Sequence, residues 1–194
     1  MKNLNDVRRP DAYDDIVRES KARNFDMPSE VDVNALLRTL AAAKPAGCCL
    51  ELGTGTGLAS AWILDGLGPN GSLTTVDNEP KWLDVAQAYL GGDSRINIVC
   101  SDGDEFLRQV NAQATRYDLI FADTWSGKYR SLDLALDLLL PGGLYVIDDM
   151  LPQSNWPEGH GAKVQSLMND LAQRSALQIS SLAWSCGVVI AAKL

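Results

Sequence analysis

A glycine-rich turn after a short apolar segment is the first candidate for chemistry in this sequence. Residues 48–60 read C-C-L-E-L-G-T-G-T-G-L-A-S, with an acid at Glu51 and glycines at Gly53, Gly55 and Gly57. Apolar residues followed by closely spaced glycines predict a strand that turns abruptly into a helix. Because glycine has no Cβ, the backbone can pass close beneath a ligand at such a turn. The segment therefore predicts a site for a nucleotide-like cofactor.

The spacing of the glycines indicates which cofactor this turn binds. A dinucleotide-binding turn places its third glycine three positions after the second, where a helix N-terminus faces the pyrophosphate. This sequence has Leu58 at that position. Glu51 suits a ligand with an ammonium or sulfonium charge better than a doubly anionic pyrophosphate, because like charges repel. The pattern favours S-adenosylmethionine over NAD, and the alternative is a glycine-rich loop that binds no ligand.

Two further acids follow predicted strands. Asp77 ends the segment G-S-L-T-T-V-D, about 20 residues after the glycine turn, where doubly wound folds place a carboxylate that binds ribose hydroxyls. Asp102 follows the segment I-N-I-V-C. The carboxyl ends of parallel strands share one edge of a sheet, so we expect Glu51, Asp77 and Asp102 to lie along one ligand-binding edge. The alternative is that each acid caps the helix that follows it.

A second group of acids follows the next two predicted strands. Asp123 follows Y-D-L-I-F-A, and the pair Asp148 and Asp149 follows L-Y-V-I. Three carboxylates in one pocket repel one another unless a cation or bound protons intervene, and oxygen ligands suit Mg²⁺, Ca²⁺ or Mn²⁺. We therefore expect these three residues to hold a divalent cation. The alternative is that they cap helices and that Asp149 faces solvent.

The loop after this acid pair contains the only histidine of the chain, His160. Loops at this edge of a parallel sheet shape the pockets for substrates, and Trp125 and Trp156 could supply flat walls for a planar acceptor. If no metal binds, His160 is the candidate general base. The alternative is that His160 caps the next helix and that the tryptophans pack the loop down.

Alternating strands and helices must bring these residues together. Helices are predicted over residues 11–22, 30–43, 58–67, 80–90, 103–113, 130–140 and 161–175. Besides the strand before the glycine turn, strands are predicted over residues 73–77, 96–100, 118–122, 144–148, 177–182 and 187–192. This alternation predicts a doubly wound α/β fold with a seven-stranded, mostly parallel sheet. The last two strands are too close together for a helical crossover, so we expect an antiparallel hairpin at one edge.

The composition of the chain indicates how many domains it forms, where it is located and which partners it can bind. The 194 residues are 46% hydrophobic, which fits a single domain with helices over the active-site side in residues 1–43 and a cofactor-binding core in residues 46–194. A net charge of −8 disfavours a nucleic-acid partner, because phosphate binding requires a basic surface.

We expect a cytoplasmic protein without a membrane partner, since the N-terminus is charged and no apolar segment could cross a bilayer. The cysteines lack metal or redox spacing and are predicted to be reduced core residues: Cys48, Cys49, Cys100 and Cys186.

Together these motifs resemble the class I S-adenosylmethionine-dependent O-methyltransferases, in the branch that includes catechol and caffeoyl-CoA methyltransferases. The glycine turn, the acids at the strand ends, P-G-G at 141–143 and the closing segment G-V-V-I-A-A-K carry the resemblance, which covers residues 27–193. It implies a Rossmann-like methyltransferase fold and transfer of a methyl group to an oxygen of a small-molecule acceptor. It leaves open whether the protein is a homodimer.

The resemblance also implies roles for individual residues. The implied cofactor site consists of Glu51, Gly53, Thr54, Gly55, Gly57, Asp77, Asn78, Asp102, Gly103 and Asp123. Within it, the glycines hold the methionine part of the cofactor, and Glu51 lies near its amino group. Asp77 binds the ribose hydroxyls, and Asp102 with Gly103 meets the adenine.

The sequence departs from the family pattern at two positions. The implied Mg²⁺ ligands are Asp123, Asp148 and Asp149. Asp149 stands where the family usually has Asn. The family commonly has a lysine three residues after the first metal-binding Asp, and this chain has Ser126 there. Lys128, two positions further on, is a substitute base if the loop shifts, and His160 is the other candidate.

Three alternatives stay open at this point. They are a metal-independent methyltransferase with its base in residues 151–161, an NAD-dependent oxidoreductase on the same scaffold, and a non-catalytic protein that binds S-adenosylmethionine. Leu58 disfavours the oxidoreductase, whereas Ser126 keeps the non-catalytic protein open.

Overall fold

The computed structural model describes residues 7–154 and 156–194, and their centre is one seven-stranded sheet. The strands are β1 (Cys48–Leu52), β2 (Ser72–Asp77), β3 (Ile96–Cys100), β4 (Tyr117–Ala122), β5 (Leu139–Ile147), β6 (Leu177–Leu182) and β7 (Val188–Lys193). Their order across the sheet is β3, β2, β1, β4, β5, β7, β6. The first five are parallel, and β7 runs antiparallel to both β5 and β6. The predicted doubly wound fold with an antiparallel hairpin at one edge is therefore confirmed.

Helices cover both faces of this sheet. They are α1 (Tyr13–Ala22), α2 (Val31–Ala42), α3 (Leu58–Gly66), α4 (Pro80–Leu90), α5 (Gly103–Ala112), α6 (Leu132–Asp137) and α7 (His160–Ala172). Apolar side chains of α1 to α4 pack on one face and those of α5 to α7 on the other. Successive strand residues point to opposite faces, so Cys49 packs with the first group and Leu50 with the second. Across the described residues, no helix combines the length and apolar character needed to span a lipid bilayer.

The N-terminal helices lie on the same face as α3 and α4. Trp62 of α3 is fully buried there, with Tyr13 of α1 edge-on to its ring and the Arg38 guanidinium of α2 4.7 Å from its ring centroid. The segment between the two helices, residues 25–30, is the part that reaches the carboxyl edge of the sheet. The single domain over residues 1–194 stays a prediction.

The main difference from the predicted elements lies between β4 and β5. The sequence predicts a helix over residues 130–140, whereas α6 ends at Asp137 and β5 already begins at Leu139. β5 pairs with β4 first through Leu139 opposite Tyr117 and then, after a register shift, through Leu144 opposite Leu119. The P-G-G segment lies within this bulge. Proline and glycine normally end a strand, but here the P-G-G segment forms the extra, unpaired residues of a bulge inside β5.

The cysteines are all unpaired, and three of the four lie where the sequence predicts them. Cys49 and Cys186 are buried, and Cys48 is half-buried against the opposite face from Cys49. The prediction of a core position is wrong for Cys100, which is exposed. The reason is that Cys100 ends β3, which is an edge strand of the sheet.

Candidate active site

The glycine turn begins where β1 and β4 end beside each other. Gly53 has φ +104°, and a Cβ at this position would lie 2.9 Å from the carbonyl oxygen of Asp123. The Gly53 amide donates to the Val76 carbonyl near the end of β2 (2.9 Å). Only glycine fits here, because both the positive φ and the approach of β4 exclude a side chain. The turn is therefore held between β2 and β4.

The next two glycines have different neighbours. A Cβ at Gly55 would lie 2.7 Å from the ring of Phe25, in the segment that crosses over the turn. A Cβ at Gly57 would lie 2.9 Å from the Ala86 Cβ of α4. Gly55 thus allows Phe25 to pack over the turn, whereas Gly57 allows α3 to begin close against α4.

A cavity of about 330 Å³, which we name the turn cavity, lies over this turn. It is lined by Phe25, Met27, Pro28, Ser29, Gly53, Thr54, Gly55, Thr56, Leu58, Ala59, Asp77, Asn78, Glu79, Trp82, Asp123 and Thr124. Six of the ten predicted cofactor residues are in this set. Glu51 and Gly57 do not line it, because they lie beneath the turn and against α4.

Asp77 is fixed at the wall of the turn cavity by the backbone. Its Oδ2 accepts a hydrogen bond from the Gly55 amide (2.9 Å), and its Oδ1 accepts one from the Glu79 amide (3.0 Å). Each carboxylate oxygen can accept a second bond. Asp77 is therefore oriented by its own turn and keeps acceptor capacity for hydroxyl groups of a ligand.

A smaller cavity of about 50 Å³ adjoins the turn cavity. The two share Gly53, Asp77, Asn78 and Thr124. Asp102 and Gly103, the predicted adenine contacts, line the smaller one. Asp102 also caps α5, since its Oδ1 accepts from the amides of Asp104 (2.9 Å) and Glu105 (3.1 Å). The capping alternative thus applies to Asp102, while its Oδ2 lies 3.9 Å from the Arg130 guanidinium.

Glu51 belongs to a buried polar network beneath the turn. Its side chain is fully buried, and Oε2 accepts hydrogen bonds from Ser60 Oγ and from Thr75 Oγ1 (2.5 Å). Because the Thr75 hydroxyl donates to Glu51, it accepts from Thr54 Oγ1, which is 2.6 Å away. Burial raises the pKa of Glu51 to about 7, against the opposing effect of these hydrogen bonds. Glu51 therefore supports the turn from below.

A second cavity, of about 520 Å³, lies on the other side of Asp123, and we name it the acidic cavity. It is lined by Asp26, Met27, Pro28, Ser29, Glu30, Asp123, Thr124, Trp125, Lys128, Tyr129, Asp148, Asp149, Gln153, Trp156, His160 and Cys186. All three predicted metal ligands and both predicted base residues are among them. The acidic cavity and the turn cavity share Asp123, Thr124 and residues 27–29.

The carboxyl groups of the acidic cavity destabilise one another's charged forms. Burial, and next the nearby Asp148 carboxylate, raises the pKa of Asp123 well above its usual value. Burial also raises the pKa of Asp148 to about 6, and Asp149 adds to this effect. Ser29 Oγ donates to Asp123 Oδ2 (2.9 Å), and the Cys186 thiol donates to Asp148 Oδ1 (2.6 Å). A bound cation would offset this repulsion, so the donor set suits one.

A tight turn brings Lys128, and not Ser126, into the acidic cavity. The Trp125 carbonyl accepts from the Lys128 amide (3.2 Å), and Gly127 has φ +79°. Ser126 faces the smaller cavity instead, where its Cβ lies 2.6 Å from the position of a Cβ at Gly103. The turn thus places these two side chains on opposite sides of the loop.

The ammonium group of Lys128 acts on the acids of this cavity. The side chain is 5% exposed, and Nζ lies 5.5 Å from the centroid of the Tyr129 ring. Its positive charge lowers the pKa of Asp123 and of Asp148, against the larger effect of burial. Lys128 therefore lies in the same cavity as the three predicted metal ligands, and its role as a substitute base stays a prediction.

His160 is the first residue of α7 and lies among aromatic rings. Its ring centroid is 4.6 Å from that of Trp156, 5.2 Å from Tyr129 and 6.1 Å from Trp125. Its Nε2 lies 3.1 Å from the Tyr129 hydroxyl. Burial and two nearby lysines lower the pKa of His160, so the ring is neutral at pH 7. Trp125 and Trp156 both line the acidic cavity, and their role as walls for a planar acceptor stays a prediction.

A family match decides how this arrangement is classified. Residues 50–150, just over half of the 194, match the family described as a methyltransferase domain. The chain belongs to this family. The matched region of this methyltransferase-family chain runs from β1 to the acids after β5, and so contains Asp77, Asp102 and Asp123. The resemblance stated from the sequence motifs is confirmed.

A curated relative also carries a methyltransferase name. A protein of Mycobacterium sp. (strain JLS), named as a provisional O-methyltransferase, is 34% identical over 120 residues, which are 59% of this chain and 54% of the relative. A second such protein, of Mycobacterium avium (strain 104), is 34% identical over 122 residues, or 59% of this chain and 53% of its own length. The chain thus spans about half the length of these relatives.

Solved structures share the fold. The O-methyltransferase from Bacillus cereus in complex with SAH superposes with a TM-score of 0.85 at 16% identity, over 97% of this chain and 93% of that one. At such an identity the likeness shows the fold alone, and it agrees with the methyltransferase fold expected from the sequence.

Two parts of the site have no sequence motif that points to them. Phe25 and Ser29 reach the cavities from the segment between α1 and α2, where Pro28 signals only the approach of a helix. Cys186 precedes β7, and β7 runs antiparallel beside β5. The predicted hairpin of the last two strands does not specify this pairing. The pairing places Cys186 next to Asp148, because the start of β7 lies beside the end of β5 in an antiparallel pair.

We expect Glu51→Gln to stabilise this methyltransferase-family chain at about pH 8 and to flatten its pH dependence. The folded-state pKa of Glu51 is raised, so its contribution to stability is full below its unfolded pKa of 4.5 and is lost as the pH rises to about 7. Gln keeps an oxygen acceptor for Ser60 and Thr75 without the charge. The gain at pH 8 should reach up to about 3 kcal/mol in urea unfolding and vanish at about pH 4.

The matched control for this experiment is Glu105→Gln, which removes an exposed carboxylate on α5. It should leave the pH dependence of unfolding unchanged. Equal destabilisation by Glu51→Gln at both pH values would contradict the assignment, because it would mean that the fold requires the charged form.

Proposed function

We propose that this chain transfers a methyl group from S-adenosylmethionine to an oxygen of a small-molecule acceptor. The observation that carries the proposal is the boundary at Asp123 that the turn cavity and the acidic cavity share. A cofactor in the first cavity and an acceptor in the second would meet at this boundary. The family supports methyl transfer as the reaction class. The two cavities support the assignment of cofactor binding to the residues of the turn cavity and acceptor binding to those of the acidic cavity.

The turn cavity and the smaller cavity beside it fit the parts of the cofactor. The glycine turn lines the turn cavity at Gly53 and Gly55, where the resemblance places the methionine part, and Asp77 offers acceptor oxygens to the ribose. Asp102 lines the smaller cavity, on the side where the resemblance places the adenine. Carboxyl groups around both large cavities favour a sulfonium charge and repel a pyrophosphate. This charge pattern, together with Leu58, argues against an NAD-dependent oxidoreductase.

The chemistry divides between the cofactor and the chain. S-adenosylmethionine supplies an activated methyl group, which a nucleophilic oxygen takes by in-line displacement. The chain aligns the two reactants and takes the proton from the acceptor oxygen. Alignment alone can contribute about 7 to 11 kcal/mol.

Lys128 is our candidate for the group that takes this proton, and it does so as the neutral amine, after its ammonium group has released a proton to solvent. Among the described residues that line the acidic cavity, it is the one lysine or arginine. His160 is the second candidate, since its ring is neutral and lies in the same cavity. Either residue supplies a base that Ser126 does not, which argues against a non-catalytic protein.

A divalent cation fits the oxygen atoms of Asp123, Asp148 and Asp149. Burial and mutual repulsion disfavour their charged forms, and a cation would relieve both. When bound, such an ion lowers the pKa of a chelating hydroxyl and orients it. We propose that these acids hold it, and metal-independent transfer with His160 as base is the alternative. The cytoplasmic location stays a prediction, and whether the protein is a homodimer stays open.

Asp77→Ala should weaken the binding of S-adenosylhomocysteine by about 10- to 150-fold in calorimetric titration. The reason is that charge-assisted hydrogen bonds to the ribose contribute about 1.5 to 3 kcal/mol. Asp84→Ala removes an exposed carboxylate of α4 and serves as the matched control. Asp77→Asn keeps one acceptor oxygen for the Gly55 amide and so separates ribose binding from damage to the turn. Unchanged affinity in Asp77→Ala would contradict the assignment of the ribose site.

Lys128→Met should lower methyl transfer to catechols by at least about 100-fold, because it removes the proton acceptor, and should leave the affinity for S-adenosylhomocysteine unchanged. Transfer of a labelled methyl group from S-adenosylmethionine to a panel of catechols measures the rate. Lys44→Met, at the amino end of β1 and so at the opposite edge of the sheet, is the control. A normal rate in Lys128→Met together with a lost rate in His160→Ala would assign the base to His160 instead.

A further inference from the structure

Cys186 lies beside the acid pair, although it is far from it in the sequence. β7 runs antiparallel to β5, so the residues before β7 lie next to the residues after β5. Backbone hydrogen bonds fix this contact: the Leu151 amide donates to the Cys186 carbonyl (2.9 Å), and the Met150 amide donates to the Gly187 carbonyl (3.0 Å). The Cys186 side chain is 6% exposed and lines the acidic cavity. The fold therefore holds a thiol on the wall of this cavity.

The thiol and the acid pair form a compact group of ligand atoms. One such atom from each of Asp148, Asp149 and Cys186 lies within 4.8 Å of the other two. Cys186 Sγ donates to Asp148 Oδ1 at 2.6 Å, so the sulfur is directed at the carboxylate. Sulfur and oxygen ligands of one tetrahedral Zn²⁺ ion lie about 2.3 and 2.0 Å from it and so about 3.5 Å from each other. Cys186 Sγ and Asp148 Oδ1, at 2.6 Å, would therefore move apart by about 1 Å to share an ion.

A buried nitrogen in the same cavity also lacks a partner. The His160 side chain is 8% exposed, and its Nδ1 has no hydrogen-bond partner among the residues that the structure describes. A buried polar atom costs stability unless a ligand or a water molecule satisfies it. This nitrogen and the ligand atoms of Asp148, Asp149 and Cys186 belong to side chains that line one cavity.

We propose that Cys186 is a ligand of the divalent cation in the acidic cavity, together with Asp148 and Asp149. The proposal rests on the cation site proposed above and adds to it a sulfur atom, which three aspartates alone lack. Sulfur ligands favour Zn²⁺ or Co²⁺, whereas Mg²⁺ prefers oxygen. Cysteine binds as the thiolate, so its proton passes to solvent when the sulfur takes its place on the ion.

Titration with Co²⁺ tests the proposal without any assay of activity. A cobalt ion bound to a thiolate has a sulfur-to-cobalt charge-transfer band in the near ultraviolet, and a cobalt ion bound only to oxygen and nitrogen has none. We expect the wild-type protein to develop this band up to one Co²⁺ per chain. Cys186→Ser should lose it. Cys100→Ser removes an exposed thiol away from the cavity and should keep it.

The affinities provide a second readout. Cys186→Ser should weaken Co²⁺ binding by at least about 10- to 100-fold and change Mg²⁺ binding much less, because only the softer ion gains from sulfur. Circular dichroism and the affinity for S-adenosylhomocysteine show whether the variant is folded. Should it not fold, the spectrum of the wild-type protein still decides between sulfur and oxygen ligation.

Two results would overturn the proposal. If Co²⁺ binds, as its visible absorption shows, but no charge-transfer band develops, then Cys186 is not a ligand and the cation site of the proposed function stands without it. If Co²⁺ does not bind while S-adenosylhomocysteine does, then the cation site fails as well and only the proposed cofactor site stands.

Discussion

The close approach of β1 and β4 at their carboxyl ends is the constraint on which the rest of the site depends. The carbonyl of Asp123 comes so near to Gly53 that no side chain fits between them. The same contact fixes the Asp123 side chain at the boundary between the turn cavity and the acidic cavity. One residue thus couples the backbone turn proposed to hold the cofactor to the carboxyl group proposed to hold the cation. A substitution at Gly53 would therefore disturb both cavities and not only the turn.

Charge is the second organising feature, and it links stability to function. Burial raises the pKa of Glu51 beneath the turn and of Asp123 and Asp148 at the acidic cavity. The fold thus holds three carboxyl groups in surroundings that disfavour their charged forms, and Lys128 offsets this in part for Asp123 and Asp148. A sulfonium group or a divalent ion would relieve the same electrostatic cost. Burial of these carboxyl groups lowers the stability of the free protein. In the proposed function, the same burial favours the binding of positively charged ligands.

The sequence was sufficient to predict the sheet, the order of its elements along the chain and the strand-end acids that line the cavities. Strand ends are readable because apolar segments stop at an acid or a glycine, as they do at Gly53, Asp77 and Asp123. The position of Lys128 was not predictable, because it depends on how the backbone turns at Gly127 and packs against other strands. The bulge in β5 depends likewise on its pairing with β4 and not on local propensity. Burial of Glu51 beneath the turn, away from the cavity, follows from hydroxyl partners that lie on two other elements.

Calorimetric titration of the wild-type protein with S-adenosylhomocysteine, with NAD as the control ligand, tests the proposed function most directly. We expect one molecule of S-adenosylhomocysteine to bind per chain and NAD to give no binding heat, because the turn suits an adenosyl ligand without a pyrophosphate. Repeating the titration with EDTA would show whether this binding depends on a metal ion. Binding of NAD, or no binding of S-adenosylhomocysteine, would contradict the assignment of the turn cavity and with it the proposed methyl transfer.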